Sequence, residues 1–533
     1  MRKFQLDLMV ALLATAGISA AASVTSAQTP PAQAPPATAA PGATDDASAA
    51  KQFDKPATKP FTDLTHRYRF AEIYTKVEER ASSALVGQYQ IGMLETLKDS
   101  IETPEGKPKQ TELVRRTIFT ERPAEVSSLG VVAGTIRRYD KFVVEPEEAL
   151  PSAGRRPLDG LTVFFRPKLG EQPEIISLSE DRRIREREFE IVAHQVFLPA
   201  LSAIFPAYPA RVGDNWRVSK RAAQALLGEP AIRGENLTAK FTELLREEST
   251  NRMFAIFTIT GRVSNTFAET IVNARIEFAF DPPASKKPTT PGSTPLVATA
   301  PATKPLDESI IDARGAITEL RMARVAAGLL PDATRKLNFS AQQELILRRK
   351  LGVESGSKPL ALVTPPPAND VNSWISYVDP SGRFYFYHPQ ELLPPERFQL
   401  SGSADDDSIV LVKNRPDGRE MVRIDVFRKA MEPDALQDVL AAEWRRSGAE
   451  VLPGPSEWLP EAAFPAPLKV FRIESALKLG ARGARLHYDA YLVKYSDDIN
   501  LMVIATSSRD AVDAFRRNVE AMIATFKLGA PNR

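Results

Sequence analysis

The chain has 533 residues, too many for one compact core and suited to two or three folded units. Its 69 Lys plus Arg nearly balance 67 Asp plus Glu, which removes any global electrostatic reason to expect nucleic acid as a partner. There is no cysteine, so a lipobox, a disulfide and a thiolate metal site are excluded, and an exported chain of this kind must be held together by core packing.

Residues 1–27 have the order of a secretory signal peptide: Arg2 and Lys3, an apolar run from Leu8 to Ala22, then Val24-Thr25-Ser26-Ala27. Cleavage near Ala27 is expected, giving an exported protein, periplasmic or extracellular. No later window approaches about 18 consecutive apolar residues, so no integral membrane span is expected after cleavage. Residues 28–60, rich in Pro, Ala and Thr, read as a disordered tether.

Residues 61–351 read as one large β-rich antiparallel domain. Tyr68, Phe70 and Glu72 share a face, with Ile73, Thr75 and Val77 on the other; the extended pattern continues to Ile101, and a turn at 104–108 leads into the returning arm. Residues 81–84 are also compatible with a helix. Strands are expected over 131–144 and 161–166. The segment 179–228 interrupts this pattern and forms the waist of the domain. Its mixed charges from Glu180 to Glu190 suit a solvated helix or strand face. Pro199, Pro206 and Pro209 forbid one continuous helix, Gly213-Asp214 makes a turn that feeds Trp216 into a strand, and Ser219 caps a short helix that ends at Gly228.

Strands follow over 237–245, 254–263 and 271–280; both faces of 254–259 are apolar, as in a strand buried on two sides. Residues 282–305 read as a flexible insert. Residues 337–350 alternate as a strand, although Ser340 and Gln343 would also make a capping box. Residues 352–372, with Pro365-Pro366-Pro367, form the interdomain linker. Beyond it come an aromatic strand through Phe384 and Phe386, a hairpin over 409–427, a helix opened by Pro433, three strands over 468–506, and a terminal helix with a serine cap at Ser507 or Ser508.

The C-terminal part, 373–528, resembles the PsbP-like family of exported domains, which includes DcrB-like and LpqN-like proteins, on Asp379, Gly382, Phe384, Phe386, Pro389, the helix ending near Trp444 and the closing Ala524-Thr525-Phe526. The resemblance implies an α/β/α sandwich around an antiparallel sheet, a role in protein binding or assembly, and no catalytic set to carry over. The larger domain resembles exported proteins of unknown function with a proline run followed by Gly213-Asp214-Asn215-Trp216, and in style the curved-sheet carriers of lipids. The expected fold class is therefore α+β, a curved-sheet domain followed by a PsbP-like sandwich.

No nucleophile elbow and no phosphate loop is present, and His66, His194, His388 and His487 lack metal-helix spacing. Ser355 with Lys358, the run Asp405-Asp406-Asp407, and His388 with Glu391 each have an ordinary structural explanation. No catalytic residue, metal site or cofactor is expected. Trp216 and Tyr208 are the weak candidates for ligand contacts, with Trp216 first a core anchor. The leading expectation is a non-enzymatic protein that binds a lipid or other apolar ligand, or an envelope protein. The alternatives are a hydrolase or isomerase with a carboxylate-based site in the larger domain, and a structural scaffold.

Overall fold

A computed structural model describes residues 57–529, apart from 62–65, 73–87, 103–107, 127–130, 147–157, 169–171, 180–181, 229–232, 265–267, 283–309, 332–335, 352–359, 361–363, 380–381, 394–407, 416–417, 428–430, 448–449, 480–483, 497–498 and 508–511. The signal peptide, residues 28–56 of the tether, residues 283–305 of the insert and the alternative helix at 81–84 thus lie outside the described residues, whereas Thr58–Pro60 at the end of the expected tether form a strand that pairs antiparallel with residues 245–247. Contacts divide the chain into two units: residues 42–182 with 190–368, and residues 369–533 with 183–189.

The first unit contains β1 (Thr58–Pro60), β2 (Arg67–Glu72), β3 (Tyr89–Glu102), β4 (Pro108–Val126), β5 (Val132–Glu145), β6 (Thr162–Arg166) and β7 (Glu174–Ser177). After β8 (Ile184–Arg185) and α1 (Glu186–Ala193) come β9 (Asn215–Arg217), α2 (Lys220–Leu227), β10 (Arg233–Glu247), β11 (Met253–Ser264), β12 (Ala268–Phe280), β13 (Ile310–Pro331) and β14 (Lys336–Leu351). All but β8 join a 13-stranded sheet whose main path runs β1-β10-β11-β12-β13-β14-β3-β4-β5-β6-β7. Neighbours along this path are antiparallel; β2 adds to β13 in parallel. Residues 336–351 are a strand, and the capping box at Ser340 is unused because Leu345 and Leu347 alternate into the core opposite Met322 and Leu320.

One face of this sheet, the front, carries residues 190–228. Phe205 inserts between Phe257, Phe278 and Phe70, with ring centroids 5.2, 5.0 and 5.7 Å away. Such ring pairs add about 0.5–1.5 kcal/mol each beyond area burial. The Ser219 hydroxyl accepts from the Ala222 N–H at 3.2 Å to start α2. Gly228 ends it at φ 66°, where a Cβ would stand 2.5 Å from the His194 carbonyl oxygen. Only glycine permits that approach.

The second unit contains β15 (Trp374–Val378), β16 (Phe384–Pro389), β17 (Ser408–Arg415), β18 (Gly418–Phe427), α3 (Pro433–Ser447), β19 (Glu450–Trp458), β20 (Lys469–Leu479), β21 (Ala484–Lys494), β22 (Asn500–Ser507), α4 (Asp513–Ala524) and β23 (Lys527–Leu528). A six-stranded antiparallel sheet, β17-β18-β22-β21-β20-β19, lies beside a four-stranded one, β23-β16-β15-β8. Successive residues of β22 go to opposite cores: Leu501 and Val503 join Phe515, Val519 and Ile523 of α4, while Met502 and Ile504 join Leu436, Leu440 and Trp444 of α3.

The expected α+β class, with a PsbP-like α/β/α sandwich at the C-terminal end, is corrected here. Strands dominate both units, and only four α-helices occur among the described residues. In the second unit each core has a single helix, and strand residues such as Phe384 and Phe386 complete one of them, so no helical layer forms. The fold is mostly β, built of large antiparallel sheets. One local expectation also changes. The serine cap of the last helix is not made, since Ser507 ends β22 and Val512 holds the cap position without a side-chain bond. The edge strand β19 contains Pro453 and Pro455, with a register shift between Pro453 and Ser456, and so has no clear strand pattern in sequence.

Candidate functional site

On the front face, alternate residues of β3, β4 and β5 meet the waist segment. Parity along these strands places Tyr89, Ile91, Met93 and Glu95 on one face of β3, opposite Glu121, Phe119, Thr117 and Arg115 of β4. Arg137 and Tyr139 of β5 continue the rows opposite Glu121 and Phe119.

Charged groups therefore enter the core. The Arg137 and Glu121 side chains are fully buried, with Arg137 Nε 3.4 Å from Glu121 Oε2. The Arg137 guanidinium lies 4.3 Å from the Phe165 ring centre, and its Nη2 donates to the Val196 carbonyl at 3.5 Å. Burial is the largest influence and opposes its charge, but Glu121, Tyr139 and Tyr89 together outweigh burial and its pKa is raised. Tyr139 donates to Gln195 Oε1 at 2.7 Å; burial pushes its pKa up to about 12, against the pull of Arg137, so it remains a donor. Burial likewise raises the Tyr89 pKa well above its ordinary value. Next to this row Arg349 pairs with Glu72 at 2.9 Å and lies 4.0 Å from the Tyr89 ring centre. These groups pin residues 195 and 196 onto the sheet.

Beside that anchor lies a cleft of about 410 Å³ measured out to its open mouth. Its walls are apolar, with Met93, Phe142, Ile191, Val196, Met322 and Leu345 prominent. The polar lining is Glu95, Arg115, Thr117, His194, Gln195 and Gln343. Glu95 is neutralised by Arg115 at 3.4 Å and accepts from Gln343 Nε2. Three buried side-chain atoms in this lining have no hydrogen-bond partner: Thr117 Oγ1, Gln195 Nε2 and Gln343 Oε1. Gln195 gives its oxygen to Tyr139, which leaves the amide NH₂ as the free end. The set thus offers a donor, an acceptor and a hydroxyl beside apolar wall. An unmatched buried polar atom costs about 1–3 kcal/mol.

Trp216 is a strut elsewhere on the same face: its indole N–H donates to the Ile204 carbonyl at 2.7 Å, and its ring lies 6.1 Å from Phe257. Tyr208 is 48% exposed. Neither lines the cleft. His194 does, exposed at its rim with Nδ1 2.7 Å from the Glu190 carbonyl. His388 is fully buried in β16, where burial lowers its pKa to about 4, and Glu391 pairs with Lys413. Ser355, Lys358 and 405–407 lie outside the described residues. Among the described residues no three His, Asp or Glu side chains converge as a metal ion requires, and no helix is long and apolar enough to cross a membrane. The cleft residues were open to detection in one respect, the core parity of Arg115, Glu121 and Arg137 with Phe119 and Tyr139, but the parity shows its meaning only once the buried face is known.

No family model matches this chain, and no curated protein matches it. Solved structures align weakly. One, on lipid–protein interactions in lipovitellin, is 11% identical with a TM-score of 0.25 over 54% of this chain and 28% of that chain, so this protein spans just over a quarter of its length. The outer membrane protein OprD from Pseudomonas aeruginosa is 8% identical, TM-score 0.10, over 82% of this chain and 96% of its own. OccAB4 of Acinetobacter baumannii is 8% identical, TM-score 0.10, over 79% and 98%. Scores this low carry no argument about ligand or family.

Proposed function

We propose that the protein is an exported, non-catalytic binding protein whose front-face cleft takes a small amphipathic molecule. The observation that carries this reading is the trio Thr117 Oγ1, Gln195 Nε2 and Gln343 Oε1, buried without partners in an otherwise apolar cleft. Ligand sites combine apolar walls with a few convergent polar groups in this way. Arg115 is already matched by Glu95, so the head group is uncharged, an amide or alcohol that both donates and accepts. The head group lies against the trio, and the apolar part lies toward the open mouth, where Met93 and Met322 adapt by rotating their flexible side chains. The broad apolar face expected of a large lipid carrier is filled by Phe205 and its aromatic neighbours.

Native mass spectrometry of the signal-cleaved protein, purified without detergent and then solvent-extracted, tests this. A stoichiometric small adduct is expected, with affinity reduced about fivefold by Thr117→Val or Gln343→Leu, since one hydrogen bond is worth about 1 kcal/mol. A bare mass in wild type and in extract-treated protein would overturn the reading.

A further inference from the structure

On the opposite, back face of the same strands a different group is held. The row Arg122, Ile136, Phe164 and Ile176 runs across β4, β5, β6 and β7, each opposite the next. Leu360, from the stretch between β14 and β15, is 4% exposed and packs with Ile136, Phe164 and Ile176, with Ala124 and Leu178 around them. Its backbone is gripped as a neighbouring strand would grip it. Gln88 Nε2 donates to the Leu360 carbonyl at 3.1 Å, and the Leu360 N–H donates to Gln88 Oε1 at 3.2 Å. Arg122 Nη1 adds a second bond to that carbonyl at 3.0 Å. Gly134 makes room for the pocket floor: a Cβ there would stand 2.6 Å from the Phe164 ring. Arg166 lies 5.0 Å from that ring centre, held by Glu125 and by Glu174 at 2.8 Å.

We infer that this is a peptide-docking site that reads the backbone and side chain of one aliphatic residue, and that its resident is the chain's own Leu360. A single side-chain amide matches both backbone groups of one residue, and the pocket beneath accepts one branched aliphatic side chain; together they read a backbone plus a leucine, the logic of strand-addition recognition. Covalent attachment keeps the local concentration of the segment high, so the site is occupied in cis even when its intrinsic affinity is weak.

The test uses the full chain with Leu360→Asp, whose charge an apolar pocket rejects together with its backbone, and a fluorescent peptide of residues 357–364, Ser-Lys-Pro-Leu-Ala-Leu-Val-Thr. The vacated site is expected to bind this peptide at least tenfold more tightly than the same peptide carrying alanine for Leu360, and the wild-type chain is expected to leave it free. Equal binding of the two peptides, or no binding to a Leu360→Asp chain with native circular dichroism, overturns the inference. If that variant does not fold, hydrogen exchange on Gln88→Ala decides: the Leu360 amide is expected to exchange at least tenfold faster, and unchanged protection sinks the proposal.

Discussion

Glu121 and Arg122 are adjacent on β4, and Ile136 and Arg137 adjacent on β5, yet they build two unlike surfaces. Glu121 and Arg137 point to the front, where the waist segment covers them and three nearby polar atoms are left unmatched. Arg122 and Ile136 point to the back, where one leucine fills the pocket and has both its backbone groups bonded by Gln88. Each face is closed by the chain itself. The difference is that the back face is closed by a segment that fits it, and the front face by one that leaves a remainder. That remainder is where an added molecule has something to gain.

The largest effect expected comes from breaking the front-face pair. Arg137→Met leaves Glu121 buried and alone, and should destabilise the first unit by about 3–5 kcal/mol in urea unfolding. Adding Glu121→Leu to it should recover most of that loss, since the pair's desolvation is then removed too. Recovery would show that the pair is a register device more than a source of stability.

Alkali sharpens the contrast next. Tyr139 has its folded pKa raised to about 12 by burial, against about 10 in an unfolded chain, so between these values the unfolded state holds fewer protons than the folded one. Stability is therefore complete below pH 10 and falls as pH rises through 12, by about 3 kcal/mol, the equivalent of two pKa units. Tyr139→Phe should flatten this decline in a pH series of unfolding curves. Leu360 and Gln88 carry no titrating group, so Leu360→Ala should cost about 2–3 kcal/mol at every pH in that range. A Leu360→Ala loss that itself varied with pH would break the separation of the two faces.

The smallest effect belongs to the trio. Thr117→Val removes an unmatched hydroxyl at nearly constant shape, and should raise the stability of ligand-free protein by about 1 kcal/mol. A loss of several would mean that the hydroxyl already has a partner.

Much of the strand order along 237–347 was legible, because Phe254, Ile256, Ala255 and Phe257 bury both faces and leave no other assignment. The capped helix from Ser219 to Gly228 was legible for local reasons, an oxygen acceptor at one end and a left-handed glycine at the other. The class was not. The expected class was carried by the PsbP-like resemblance of residues 373–528, whereas helix number and placement are set by how much sheet needs cover, a non-local quantity. The site was hidden for a related reason: Thr117, Gln195 and Gln343 are ordinary residues far apart in sequence, and only the pairing of β14, β3 and β4 and the fold-over of the waist put them in one cleft. Trp216 and Tyr208 stood out as large aromatics; Trp216 packs against Phe257 and bonds the Ile204 carbonyl, and Tyr208 is exposed, both away from the cleft.

The most direct test is an atomic-resolution crystal structure of the mature protein prepared without detergent. An elongated molecule in the cleft, its polar end bonded to Thr117, Gln195 and Gln343 and its apolar part between Met93 and Met322, is the predicted result. A single ordered water satisfying all three atoms, with the methionine side chains closed over it, would contradict the binding role.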